Sequence, residues 1–211
     1  LAVAFRNPGD GTQLDFFLGA PDAGREGLLK LLALDPKDSN PPAFVPADVM
    51  KFLRVRLNFP KTIATLEKML NDFSPQALNT WNFILSNGNE AAKLDDPDYD
   101  IRKHLFGNLG DDLITYEKAP RADANVAGAP SLYLIGSPDA EKLASALKGL
   151  LVILSPEGRT PESREFLGKK ILSVKLSALP IGAGAGPRTL SYVAGGGYVA
   201  LSTDAAVLEE Y

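Results

Sequence analysis

The stretch SLYLIGSPDAEKLASALKGLL, Ser131 to Leu151, leaves this chain little freedom in how it folds. Leu132, Tyr133, Leu134 and Ile135 form an unbroken apolar run of strand length, the pattern of a strand covered on both faces. Gly136 ends the run. Ser137 can act as an N-cap, with Pro138 at the first helical position, where its missing N–H costs nothing. Asp139 and Glu141 place negative charge in the first turn of the helix. Leu143, Ala146, Leu147, Leu150 and Leu151 then fall at helical spacing. Every local signal predicts strand, turn and amphipathic helix.

Echoes of this unit recur. Gly19, Pro21, Asp22 and Ala23 match Gly136, Pro138, Asp139 and Ala140. Tyr198 to Glu210 repeats a strand, Asp-Ala and a helix start, and Phe52 to Leu70 is a looser copy with Pro60 at the turn. Two explanations stay open: an internal repeat, or the general preference of strand-to-helix junctions for Pro and Asp.

Around these units the chain reads as α+β. Ala2 to Arg6 and Gln13 to Gly19 flank Pro8-Gly9-Asp10-Gly11 and predict a hairpin, with a helix after it carrying Leu28, Leu29, Leu31 and Leu32. Asp35 to Asp48, rich in Pro, Asp, Ser and Asn, is the predicted connection. Phe52 to Asn58 alternates, so Leu53, Val55 and Leu57 are expected inside, with Arg54 and Arg56 on an open face. Helices follow from Pro60 and Pro75, then a polar, acidic segment from Ser86 to Asp100, where Asp100 can cap a short helix through Ile101, Leu105 and Phe106 that Gly107 and Gly110 end. Asp112 to Lys118 reads as a strand, Ser155 to Ser163 as a loop, Leu172 to Leu176 as a strand, and Thr189 to Ser202 as a hairpin turning at Gly195 to Gly197. The expected fold is a mixed, mostly antiparallel sheet with helices on one face. Residues 1–40 form a hairpin plus helix, read as the end of a preceding repeat unit, and residues 45–211 form the main domain.

Composition narrows the function. The net charge of −4 lacks the basic excess of a nucleic-acid binder. No apolar run is long enough to span a bilayer. The absence of cysteine removes thiolate catalysis and cysteine-held metals. The start at Leu1 and the end in a helical LEEY suggest a fragment or a chain from which a signal peptide was removed.

Candidate chemistry is sparse. Arg54 and Arg56 can grip a carboxylate or phosphate, or pair with acidic side chains of the protein itself. Trp81 and Asn82 can line a groove, although Trp81 also fits an apolar helical stripe. His104, the single histidine, has no nearby partners for a metal site or triad. Asp96, Asp98 and Asp100 alternate as in a calcium loop, yet Ile101 and Gly107 stand where that loop needs Gly and Glu. Ile181 to Arg188, IGAGAGPR, leads into a strand, so its glycines read as a loop and not a phosphate cradle. Asp111 and Asp112 are expected on opposite faces of a strand. No cofactor or metal is expected.

With these residues in view, the chain resembles an uncharacterised bacterial envelope family known only as a domain of unknown function. The resemblance rests on Val45 to Asn58, Leu105 to Pro120, Ser131 to Leu143, Glu165 to Leu176 and Gly195 to Tyr211. It implies an exported, periplasmic protein and carries no activity or site residue. The leading expectation is therefore a non-enzymatic binding or scaffolding module with a protein or small-molecule partner. Two alternatives stand beside it: a hydrolase-type site assembled from Arg54, Arg56, His104 and Asp111, and a lipid or lipoprotein carrier with an apolar cavity.

Overall fold

The computed structural model describes residues 1–211 apart from 10, 18, 20, 22, 23, 26–28, 30, 32–36, 95, 121–128, 155–160 and 177–187. The chain divides into two units, Leu1–Asp35 and Pro36–Tyr211. Residues 37–40, which the sequence groups with the first unit, fall in the second, where Lys37, Asp38 and Asn40 lie against charged side chains of the main domain.

The first unit holds the expected hairpin, β1 (Ala2–Arg6) antiparallel to β2 (Gln13–Phe17). Val3 pairs with Phe16 and Phe5 with Leu14, so one face is apolar, and all four side chains are exposed. The helix expected over Leu28 to Leu32 falls mostly outside the described residues, as do Asp22 and Ala23 of the first echo and the glycine-rich segment before Arg188.

The second unit is built on a seven-stranded sheet, antiparallel at every pairing, in the order β3-β4-β5-β9-β8-β7-β6. The strands are β3 (Lys51–Arg56), β4 (Asp112–Glu117), β5 (Ser131–Gly136), β6 (Glu162–Phe166), β7 (Lys169–Leu176), β8 (Arg188–Gly195) and β9 (Tyr198–Ser202). The helices are α1 (Phe59–Phe73), α2 (Pro75–Ala92), α3 (Ala140–Leu154) and α4 (Ala205–Glu210). The α+β architecture and antiparallel sheet are as expected. The three long helices share one side of the sheet: α3 lies on β8 and β9, α2 packs on α3, and α1 on α2. The short α4 covers the other side, where Val207 and Leu208 meet Ile114, Leu132, Leu134 and Ala200. Tyr192 and Val199 face the long helices while Val193 and Ala200 face α4, so the central strands are covered on both faces.

Several local readings change. The polar segment from Ser86 stays helical to Ala92, because Ala92 lies seven residues after Leu85 on the same buried stripe. Asp100 accepts from the Lys103 amide and so caps the π turn that Ile101–Leu105 forms. Glu162–Phe166, read partly as loop, is edge strand β6, and its charged ESREF pattern suits an edge that must not recruit another strand. The cap of α3 is Asp139, which accepts from the Lys142 amide at 3.1 Å, while Ser137 accepts from the Asp139 amide two residues earlier. Ser202 and Asp204 repeat this arrangement before α4.

The largest revision concerns β3. Its inward face is the one carrying Phe52 and Arg54, and Leu53 is 55% exposed at the sheet edge. The expected orientation of this strand is therefore reversed, because acidic partners allow the arginines to be covered.

Candidate functional site

The carboxyl end of β3, the entry to β4 and the ends of β5 and β9 meet in a polar groove of about 740 Å³. Three glycine-containing turns let these ends converge. The Gly110 amide donates to the Gly136 carbonyl at 2.7 Å. A Cβ at Gly110 would lie 2.7 Å from the Gly136 carbonyl group, so only glycine fits there. Ser137 ties the turns together: its amide donates to the Gly197 carbonyl at 2.9 Å and its hydroxyl to the Asn108 carbonyl at 2.6 Å. The β8–β9 turn places Gly196 and Gly197 at positive φ, the two-residue hairpin geometry expected of the triple glycine.

Asp112 is the centre of charge. Its side chain is 8% exposed, and it receives a bidentate grip from Arg54, Nε to Oδ1 at 2.9 Å and Nη2 to Oδ2 at 2.7 Å. The Tyr198 hydroxyl donates to Oδ2 at 2.8 Å. The remaining Arg54 nitrogen donates to the Asn40 carbonyl at 2.6 Å. Burial alone would push the Asp112 carboxyl up, but the hydrogen bonds from Arg54 and Tyr198 outweigh it and hold the group below its ordinary value. Burial first, and then the bond to Asp112, pushes the Tyr198 phenol up to about 12.

A second, looser cluster lies beside the first. Arg56 donates to Asp111 at 3.2 Å, and Lys37 reaches the same carboxylate oxygen. The hydrogen bond from Lys37, assisted by Arg56, holds Asp111 below its ordinary value against partial burial. Arg56 lies 3.7 Å from Asp112 as well, and its Nε is buried without a hydrogen-bond partner. Strand alternation predicts Asp111 and Asp112 on opposite faces, and the structure corrects this. Asp111 lies in the bend before β4, outside the strict alternation of the strand, and both carboxylates enter one groove.

The sequence-derived candidates thus separate. Arg54, Arg56 and Asp111 come together. His104 does not join them: its Nδ1 accepts from the Asp100 amide at 2.9 Å, and its ring lies 5.8 Å from Tyr99. Trp81 and Asn82 sit on α2. The Trp81 indole stacks on Phe106 and donates to Glu67 at 2.9 Å, and Asn82 accepts from Arg102 at 3.0 Å. These contacts tie α1, α2 and the π turn together. Among the described residues no group of acidic or histidine side chains is arranged to hold a metal ion, and no helix is long and apolar enough to cross a membrane. Sequence reasoning missed Lys37, Tyr198 and the central role of Asp112. A carboxylate directly before the apolar pair Leu113-Ile114 at the head of a strand was the available signal for Asp112.

Gly110→Ala is expected to destabilise the fold by about 1–3 kcal/mol through overpacking against the Gly136 backbone. A lower urea midpoint at unchanged slope would register it. An unchanged midpoint would mean that the loop gives way freely.

No protein family, curated protein or solved structure matches this chain.

Proposed function

We propose that the protein is a non-enzymatic binding module of an exported bacterial protein, receiving a polar, acid-bearing ligand in the groove at the ends of β3, β4, β5 and β9. The observation that carries this reading is the unequal locking of the groove's cations. Arg54 is fixed by short bonds to Asp112 and Asn40, whereas Lys37 and Arg56 share the partly exposed carboxylate of Asp111, and Arg56 adds to it only longer contacts, 3.4 Å to the Asp38 carbonyl and 3.7 Å to Asp112. A ligand carboxylate can take the place of Asp111 on those two cations and leave the Arg54–Asp112 pair intact. Arg56 also keeps one N–H without a partner. The hydrolase alternative needs His104 beside Arg54, Arg56 and Asp111, and the histidine is engaged elsewhere. The resemblance to envelope proteins supports a periplasmic location.

Isothermal titration with succinate and with a dipeptide of two aspartates tests the reading. Arg56→Ala is expected to weaken binding at least about tenfold, the worth of one hydrogen bond to a charged group, while Trp81→Ala leaves it unchanged. Binding that survives Arg56→Ala would sink the proposal. So would hydrolysis of p-nitrophenyl acetate that depends on Arg56.

A further inference from the structure

A second cavity, of about 400 Å³, lies on the side of the sheet that α4 covers. Its floor is formed by Ile171, Val193 and Leu208, all buried, and Phe44, Phe166 and Tyr211 stand at its rim. None of the charged residues of the polar groove lines it. Its own two charges, Lys169 and Glu209, are not equivalent. Glu209 is neutralised by Arg164, whose guanidinium also lies 5.8 Å over the Phe166 ring. The Lys169 ammonium has no hydrogen bond or ion pair with any described residue. It stands on the cavity side of β7, and its ammonium would lie 3.5 Å from a Cβ placed on Gly195. An apolar cavity of ligand size with one uncompensated cation at its mouth has the charge pattern that complements an apolar tail with a single anionic head.

We propose that this cavity binds a single-chain alkyl carboxylate, a free fatty acid, with its tail against Ile171, Val193 and Leu208 and its carboxylate on Lys169. Leu167 supports the assignment. It lies at the tip of the β6–β7 turn on the cavity rim, is 85% exposed, and has φ of 47°. A leucine is poorly suited to that conformation, which asparagine adopts readily. An apolar side chain held there, in water, is accounted for by a tail that it covers. This site is separate from the groove of the preceding proposal and stands or falls apart from it.

Titration calorimetry of the full chain with decanoate, octanoate and decanol, all below their micellar or solubility limits, tests it. Decanoate is expected to bind saturably, with affinity falling about fourfold for each methylene removed. Decanol is expected to bind about tenfold more weakly, for want of the charge-assisted hydrogen bond. Lys169→Gln should bring decanoate to the level of decanol without lowering the melting temperature. Leu167→Asn should weaken both ligands while raising the melting temperature, so lost binding cannot be confused with lost folding. Absence of saturable decanoate binding overturns the proposal. So does a carboxylate preference that survives Lys169→Gln, or an affinity independent of chain length. Tighter binding of a short apolar peptide with a free carboxylate would assign the cavity to a protein partner and also overturn it.

Discussion

Asp112→Ala is expected to destabilise the main unit by about 3–5 kcal/mol, because it strands the Arg54 guanidinium in the interior without a counter-charge. The same change removes the acceptor of the Tyr198 hydroxyl, which links β9 to the entry of β4. Much of the cost comes from the orphaned partner. Replacing Arg54 with Met and Asp112 with Leu together should therefore recover most of the loss, since a well-packed apolar pair can equal or exceed a buried ion pair. Chemical denaturation of Asp112→Ala and of the double variant gives the comparison. A double variant as unstable as Asp112→Ala would show that the pair is not the source. The effect also depends on pH. The folded Asp112 carboxyl is held below its ordinary value of 3.8, so its stabilising contribution is fully present above that value and is lost as pH falls through the lower folded value. The gap in stability between the native chain and Asp112→Ala should narrow on acidification below pH 3.8. A gap that is unchanged at low pH would contradict the charge-based account.

Leu134→Ala is expected to cost about 2–5 kcal/mol, and Tyr133→Ala only about 0.5 kcal/mol. Leu134 is completely buried between β5 and α4, in contact with the cluster that includes Val207. Tyr133 points to the opposite side of the same strand and is 48% exposed. Urea midpoints of the two variants measure the contrast. Similar losses at both positions would mean that β5 is evenly buried and that the assignment of α4 to one side is mistaken.

How much of this was legible in the sequence varied with the range of the interactions involved. The unit from Ser131 to Leu151 declared itself because strand, cap and helix are specified by residues within a few positions of one another. The β8–β9 hairpin was legible for the same reason, its turn being set by Gly196 and Gly197. The orientation of β3 was not. Alternation of Leu53, Val55 and Leu57 with arginines reads as apolar inside and charge outside. The side chain that reverses it, Asp112, lies 58 residues further along. Edge strand β6 was missed because ESREF has no apolar alternation to detect, an edge needing little burial. The site divided in the same way. Arg54, Arg56 and Asp111 were recognisable as charges in want of partners, but Tyr198 has no local peculiarity. Its role arises only when a glycine turn carries the start of β9 to the entry of β4.

The strand order has one more consequence, for the making of the protein. β3, β4 and β5 form one block, β6, β7 and β8 another, and β9 alone hydrogen-bonds to both. Until residue 202 has left the ribosome, the open edges of β5 and β8 have no partner for their backbone groups, although α3 has already been synthesised between the two blocks. These are central strands with apolar faces and, Arg188 apart, none of the charge seen on β6, so each is a template for pairing with another nascent chain. The five residues of β9, the last strand made, therefore close both open edges at once.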